Sequence, residues 1–161
     1  MAQGPVTILI PIAEGRFGMI LLDTDVFSLM ELPDSTAYLR LRARIAQLDP
    51  PEQVATTVIT YEEQSRGRLA TVNASRNPRE LASAYQHLRQ HILNYRKIPV
   101  IEFDEIAAEM AARLQKTKLR IGTLDLRIAA IALTKGALLL SRNLQDFRWV
   151  PNLRVEDWTL P

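Results

Sequence analysis

The chain has 161 residues, of which 47% are hydrophobic and 24% are charged, a composition typical of one globular domain. It contains no cysteine, which excludes disulfides and thiolate metal sites and favours a reducing, cytoplasmic location. The formal net charge of +2 permits an anionic partner, and no apolar run reaches the roughly 20 residues of a membrane span.

Strands and helices are predicted to alternate from residue 19 onward. Apolar and β-branched runs predict strands at residues 20–22, 54–59, 98–103, 137–140 and 153–155. Helical spacing and capping residues predict helices at 35–48, 60–69, 78–95, 105–114 and 124–133. Pro99 places the third strand at a sheet edge. This alternation predicts an α/β fold with a mostly parallel sheet and helices on both faces.

We divide the chain into two parts. Residues 19–161 are predicted to form a single domain, because no low-complexity linker interrupts the alternation. Residues 1–18 precede a second methionine, Met19, which opens the first strand directly. We interpret them as an extension outside the fold, the alternative being an added edge strand.

Four acidic signatures lie where a strand passes into a helix, or in the first turn of a helix. They are LLDTDVFS (21–28), ITYEEQSRG (59–67), GTLDLRIAAIA (122–132) and LLLSRNLQDF (138–147). Ligands of open α/β sheets bind at the carboxyl ends of the strands, so these acids are expected to meet there. Clustered carboxylates repel one another unless a cation lies between them. The signatures therefore predict an enzyme with a divalent metal ion.

Asp125 is the most informative of these acids. Its neighbours at i+3, i+4 and i+7 are Ile128, Ala129 and Ala132, so its carboxylate lies on an apolar helix face. An unpaired carboxylate is costly there. A first-turn acid that only complements the helix dipole has no need to face the core, and a functional role is therefore favoured.

Glu63 is the inward acid of the second signature, because it shares a helix face with the small residues Gly67 and Ala70. The competing interpretation is a capping box in which Thr60 is the N-cap and Glu63 follows three residues later. Asp23 directly follows the first strand and is the other principal candidate, although aspartate is also common in turns.

Three further polar residues are supporting candidates. Asp25 lies two residues after Asp23, and a supporting hydrogen bond in the loop suits it as well as a direct role in the site does. Asn143 and Asp146 follow the fourth strand and either one could hold a metal-bound water, or form a turn. Ser141 could assist through its hydroxyl group.

Basic residues near the acids are candidate phosphate contacts. Arg113, Lys116 and Lys118 precede the third signature. The candidates for RNA binding are Arg66, Arg120, Arg127 and Arg142. A solvated helix end is the alternative interpretation.

The four signatures, together with the closing PNLRVEDW (151–158), resemble the PIN-domain nucleases, and among them the VapC toxins of bacterial toxin–antitoxin pairs. The similarity runs from about Met19 to Trp158. It implies a three-layer α/β/α sandwich and an acidic Mg²⁺ or Mn²⁺ site that cleaves RNA. It also implies a homodimer and a cognate antitoxin that covers the site.

The resemblance assigns site residues by position. Asp23 corresponds to the first acid, Glu63 to the second and Asp125 to the third, and these three are the expected metal ligands. Asn143 occupies the fourth catalytic position, where aspartate is also found, and this leaves open whether one metal ion or two are bound. The N-terminal extension departs from the family pattern.

Two other functions remain open at this point. A PIN-like module that binds RNA or protein without effective catalysis is compatible with Asn143. A haloacid-dehalogenase-like phosphatase could use Asp23 as nucleophile, although Phe27 and the absence of a Gly-Asp pair speak against it. His87 and His91 stand at i, i+4 without a zinc-site glutamate and are predicted to be surface residues.

Overall fold

The computed structural model describes residues 18–48 and 53–161. Within them, one sheet has the strand order β3-β2-β1-β4-β5, and each neighbouring pair is parallel. The strands are β1 (Met19–Leu22), β2 (Gln53–Thr57), β3 (Val100–Ile101), β4 (Leu138–Leu140) and β5 (Arg154–Glu156). The predicted extension, residues 1–18, lies outside the described residues except for Gly18.

Helices connect the strands. They are α1 (Thr24–Phe27), α2 (Thr36–Ala46), α3 (Val58–Ala74), α4 (Pro78–Tyr95), α5 (Glu105–Lys116), α6 (Thr123–Thr134) and α7 (Leu144–Phe147). A 3₁₀ turn, Ser28–Glu31, follows α1. No helix within residues 18–48 and 53–161 combines the length and apolar character needed to cross a membrane.

The hydrophobic core lies on both faces of the sheet. Leu21 packs in a cluster with residues of α5 and α6, including Ala107 and Ile128. Its strand neighbours Ile20 and Leu22 belong to a second cluster on the opposite face. This alternation along β1 places helices on both sides, which confirms the predicted α/β/α sandwich.

The second strand is shorter than predicted. β2 ends at Thr57, whose side chain accepts a hydrogen bond from the Thr60 backbone N–H (3.1 Å) and so caps α3. Thr60 is therefore not the N-cap, and the capping-box interpretation of Glu63 is wrong. The β-branched run continues through the helix start, which explains the error. The edge position of β3 is confirmed, although the strand has only two residues.

Helices α3 and α4 pack through a polar and aromatic group, here named the tyrosine–histidine cluster: Tyr61, Gln64, Ser65, His91 and Tyr95. The Tyr95 hydroxyl donates to Gln64 Oε1 (2.9 Å), and Ser65 Oγ lies 2.9 Å from His91 Nε2. The Tyr61 ring stacks on His91 with a centroid distance of 5.3 Å. His91 is buried, so the prediction that it is a surface residue is wrong.

Candidate active site at the carboxyl edge of the sheet

Asp23 lies where the central strands β1 and β4 end side by side. Its backbone N–H donates to the Leu140 carbonyl (3.0 Å), which continues the pairing of the two strands. Its carboxylate is buried and accepts hydrogen bonds from Ser141 Oγ (2.7 Å) and from the Thr24 backbone N–H (2.8 Å). Parallel pairing therefore brings the first and fourth signatures into direct contact.

Asp25 lies in the single turn of α1, beside Asp23. Its Oδ2 accepts a hydrogen bond from the Arg142 backbone N–H (3.0 Å). Its Oδ1 is buried and has no hydrogen-bond partner among the described residues. A buried carboxylate oxygen without a donor is costly, and it is a free ligand atom for a cation.

Glu63 joins the site from helix α3. Its Oε2 accepts a hydrogen bond from Thr24 Oγ1 (2.7 Å), so the second signature is tied to the loop between Asp23 and Asp25. The adjacent Glu62 instead forms an ion pair with Arg66, at 2.5 Å. Glu63 is therefore the glutamate that faces the other acids.

Asp125 and Asp146 complete the group. Asp125 lies in the first turn of α6 and is half-buried, and a Cβ placed on Gly122 would be 3.8 Å from its Oδ2. Asp146 accepts a hydrogen bond from Asn143 Nδ2 (2.8 Å). We name Asp23, Asp25, Glu63, Asp125 and Asp146 the carboxylate cluster.

The electrostatics show that these carboxylates share one environment. Burial is the main cause that raises the pKa of Asp23 to about 7, and the negative charges of Asp25 and Asp125 raise it further. The hydrogen bonds from Ser141 and Thr24 act in the opposite direction. Burial is also the main cause that raises the pKa of Asp125 to about 6, and the negative charges of Glu63, Asp146 and Asp25 raise it further. Asp23 and Asp125 thus resist ionisation as long as no positive charge is added.

Asp25 has a more mixed environment. Burial raises its pKa, and the negative charge of Asp157 acts in the same direction. The hydrogen bond from the Arg142 backbone N–H, the nearby Val26 backbone N–H and the positive charge of Arg142 lower it. The chain end near Asp157 is packed, with Trp158 and Thr159 buried.

Most predicted site residues meet in this region. Asp23, Asp25, Glu63, Asp125 and Asp146 interact electrostatically, and Ser141 supports Asp23. Asn143 contacts this group through Asp146, and the Ser141 hydroxyl also accepts a bond from the Asn143 backbone N–H (3.0 Å).

Of the predicted phosphate contacts, Arg142 lies beside Asp25, Arg66 is paired with Glu62, and Arg127 lines a cavity between α5 and α6. The structure gives Arg120 no contact with the acids.

Thr24 was missed by the sequence analysis. Its backbone N–H bonds Asp23 and its hydroxyl bonds Glu63, so one residue connects two signatures that are about 40 positions apart. Its place between two acids was visible in the sequence. The hydroxyl's partner was not, because it comes from a helix that the fold brings alongside.

The donor set suits a hard divalent cation. Carboxylate and hydroxyl oxygens are the ligands that Mg²⁺ and Mn²⁺ prefer. Among the residues that the structure describes, no three His, Cys, Asp or Glu side chains are arranged as a complete metal-binding set. Mg²⁺ typically takes only one or two carboxylates and keeps several waters, so it does not need such a set. The unpartnered Asp25 Oδ1 and the raised pKa values of Asp23 and Asp125 fit a cation.

Known proteins with a similar sequence are ribonucleases by name. The chain is 28% identical over 116 residues to "Ribonuclease VapC1" of Haemophilus influenzae strain R2866, which covers 72% of this chain and 82% of that protein.

Two solved structures show the same architecture. VapBC-1 from nontypeable Haemophilus influenzae superimposes with a TM-score of 0.68 at 26% identity, covering 88% of this chain and 99% of that one. VapBC-5 from Mycobacterium tuberculosis, described as a member of the VapBC family of toxin–antitoxin systems, gives a TM-score of 0.50 at 26% identity, covering 87% and 97%. The PIN domain family model matches residues 20–152, which is most of the chain. This chain therefore belongs to the PIN domain family.

Proposed function

We propose that the chain is a divalent-metal-dependent endoribonuclease and the toxin of a toxin–antitoxin pair. The observation that carries the proposal is the carboxylate cluster, in which burial and mutual repulsion raise the pKa values of Asp23 and Asp125. A protein gains nothing in stability from such an arrangement, whereas a divalent cation that binds a phosphodiester needs acidic ligands of this kind. Family membership and the named ribonuclease relative support the same conclusion.

The metal site is assigned to Asp23, Asp25, Glu63 and Asp125. A bound Mg²⁺ or Mn²⁺ ion would supply Lewis-acid stabilisation of the phosphate and lower the pKa of a water molecule.

The chain's own side chains then have distinct tasks. Ser141 and Thr24 orient Asp23 and Glu63 through the hydrogen bonds at 2.7 Å. Asn143 holds the carboxylate of Asp146, so we assign it a positioning role and give the fourth acidic position to Asp146. The Arg142 side chain, close enough to lower the pKa of Asp25, is placed to contact the phosphate backbone.

The decisive experiment is RNA cleavage by the purified chain. We expect single-stranded RNA to be cut internally with Mg²⁺ or Mn²⁺ and to stay intact with EDTA, and Asp125→Asn to be inactive but folded. Cleavage by Asp125→Asn at the wild-type rate would refute the assignment. Metal binding without cleavage by the wild-type chain would favour the alternative, a catalytically impaired PIN-like module that binds RNA or protein.

The partners form a separate part of the proposal. The related structures are described as VapBC assemblies, which supports a cognate antitoxin that covers the carboxylate cluster. A homodimer is expected from the family resemblance. Co-expression with the product of an adjacent small reading frame should suppress cleavage, and light scattering should give the mass of a dimer for the free chain. Cleavage unaffected by that product would remove the toxin interpretation and leave the nuclease.

A further inference from the structure

A cavity of about 350 Å³ lies between α5 and α6, and the proposed catalytic residues do not line it. Part of its wall is apolar and includes Phe103, Ala111 and Leu126. Its polar lining consists of Gln115, Thr123 and Arg127. None of these three side chains forms a hydrogen bond or ion pair with the described part of the chain. The cavity thus combines apolar side chains with three polar groups that are available to a ligand.

The cavity adjoins the carboxylate cluster through the start of α6. Thr123, Leu126 and Arg127 share one face of the first turns and line the cavity, whereas Asp125 lies on another face. The loop 117–122 also borders both, since Leu119 and Ile121 line the cavity and Gly122 adjoins the Asp125 carboxylate. Gly122 therefore lies between the Asp125 carboxylate and the cavity-lining residues Ile121 and Thr123, and an RNA strand that passes over Gly122 would reach both.

The lining matches the chemistry of a nucleobase. Single-stranded RNA is recognised by bases that stack on aromatic rings or arginine planes and form hydrogen bonds along their edges. Arg127 offers a surface of this kind, Gln115 and Thr123 offer hydrogen-bonding groups, and Phe103, which also packs against the core, adds an aromatic ring to the wall. The volume of the cavity is at the lower end of the range of about 300–1,000 Å³ for small-ligand pockets.

Positive charge surrounds the route between cavity and cluster. Lys116, Lys118 and Arg120 lie at the end of α5 and in the following loop, and all three are exposed. None has an ion-pair partner within residues 18–48 and 53–161. They are available to phosphates, which position an RNA strand without reading its sequence.

We propose that the α5–α6 cavity is a nucleobase subsite, which binds a base flanking the phosphate that is cleaved at the carboxylate cluster. The inference rests on the proposed ribonuclease function and adds to it a determinant of base preference. It assigns Arg127 and Gln115 to base recognition, and the loop cations to the backbone on either side.

The first test is binding, and it does not depend on cleavage. Adenosine, guanosine, cytidine and uridine 5′-monophosphates are titrated into the intact chain without divalent cation, with ribose 5-phosphate as the control that lacks a base. We expect at least one nucleotide to shift the backbone amide resonances of Thr123, Leu126 and Arg127 saturably, and ribose 5-phosphate to leave them unchanged. If no nucleotide shifts these resonances, the proposal is overturned.

A matched pair of variants locates the binding. Ala112 lines the cavity and is exposed, so Ala112→Phe fills the space without replacing a core residue. Ala82 is an exposed alanine of α4 and Ala82→Phe is its control. Ala112→Phe should abolish the nucleotide-induced shifts and Ala82→Phe should retain them. Equal binding by both variants would place the nucleotide elsewhere and overturn the proposal.

The second test is kinetic. Base stacking in single-strand sites corresponds to a change of about tenfold or more, so Ala112→Phe and Arg127→Ala should raise KM by that factor and alter the base preference next to the cut. An unchanged KM and an unchanged preference in both variants contradict the subsite. If the wild-type chain cleaves no RNA at all, the ribonuclease proposal fails, and the nucleotide titration still decides whether the cavity binds a base.

Discussion

Helix α3 contributes to two polar clusters that differ in one respect. In the tyrosine–histidine cluster, polar groups have partners of complementary character, and the charged Arg68 and Glu31 nearby form an ion pair. In the carboxylate cluster, groups of the same charge are brought together, and Asp25 Oδ1 has no donor in the described part of the chain. The first arrangement stabilises the fold, whereas the second costs stability.

His91 is an exception within the tyrosine–histidine cluster. Its Nδ1 is also buried without a hydrogen-bond partner among the described residues. Burial, followed by the charge of Arg68, lowers its pKa, so the ring is neutral near neutral pH. An unpartnered neutral nitrogen is less costly than an unpartnered carboxylate. The charge state of a buried polar group, and not burial alone, therefore separates the functional cluster from the structural one.

The largest effect is expected at Asp125. Asp125→Asn should lower the rate of RNA cleavage by at least about a hundredfold, since even residues that only support metal ligands typically contribute 10- to 100-fold. The same change removes a half-buried negative charge beside Glu63, and it should raise the thermal midpoint measured without divalent cation. A variant that is both inactive and less stable would show that Asp125 is part of the structural framework.

The next contrast uses adjacent glutamates of α3. Glu63→Gln should reduce cleavage by about tenfold or more, because Glu63 belongs to the carboxylate cluster. Glu62→Gln is the matched control, since Glu62 pairs with Arg66 on the same helix and contacts none of the acids. Cleavage rates of the two purified variants test the assignment, which fails if Glu62→Gln is the more impaired.

A smaller effect is expected at Thr24. Thr24→Val keeps the shape of the side chain but loses the 2.7 Å hydrogen bond to Glu63. Groups that orient a metal ligand typically contribute about 10- to 100-fold to activity, so kcat should fall about tenfold or more. Thr24→Ser retains the hydroxyl and should recover most of the rate. Equal losses in both variants would point to packing and not to the hydrogen bond.

The pH dependence of stability follows from the raised pKa values. A carboxyl group whose pKa is higher in the folded than in the unfolded chain binds more protons when folded, so the unfolding free energy falls as pH rises between the two values. For Asp23 this window extends from about pH 4 to about 7. Denaturant unfolding without divalent cation should show this decrease, and Asp125→Asn should show a shallower one. Millimolar Mg²⁺ should raise the thermal midpoint more at pH 7.5 than at pH 5.

The smallest effect is expected in the tyrosine–histidine cluster. Tyr95→Phe removes the hydroxyl that donates to Gln64 and should destabilise the fold by about 1–2 kcal/mol, with cleavage unchanged. Thermal unfolding and the RNA assay measure the two outcomes. A loss of cleavage in a variant that is still fully folded would show that the two clusters are coupled through α3.

The sequence predicted much of this arrangement. Alternating strands and helices fix the order of elements, and an acid directly after a buried strand is brought to the carboxyl edge of a parallel sheet, as for Asp23. Glu63 does contact the first signature through Thr24, but the reason given for preferring it to Glu62 was wrong, because Glu63, Gly67 and Ala70 are exposed and a Cβ on Gly67 would have no neighbour within 4 Å. The relation of Asn143 to Asp146 was not predictable, because it depends on the single turn of α7. The burial of His91 was not predictable either, since it depends on the aromatic rings that α3 packs against α4.

The direction of the strands has a practical consequence for handling the protein. β1 runs from Met19 to Leu22 before reaching Asp23, so the chain enters the sheet about 13 Å from the carboxylate cluster. β5 is parallel to β4, so the chain leaves the sheet at the same edge as the cluster, where the charge of Asp157 reaches Asp25. Pro161 is therefore only four residues from Asp157 at the site's edge of the sheet, whereas Met19 lies at the opposite edge. Immobilisation at the edge of the sheet that holds Met19 is the orientation that leaves the acidic edge accessible to RNA.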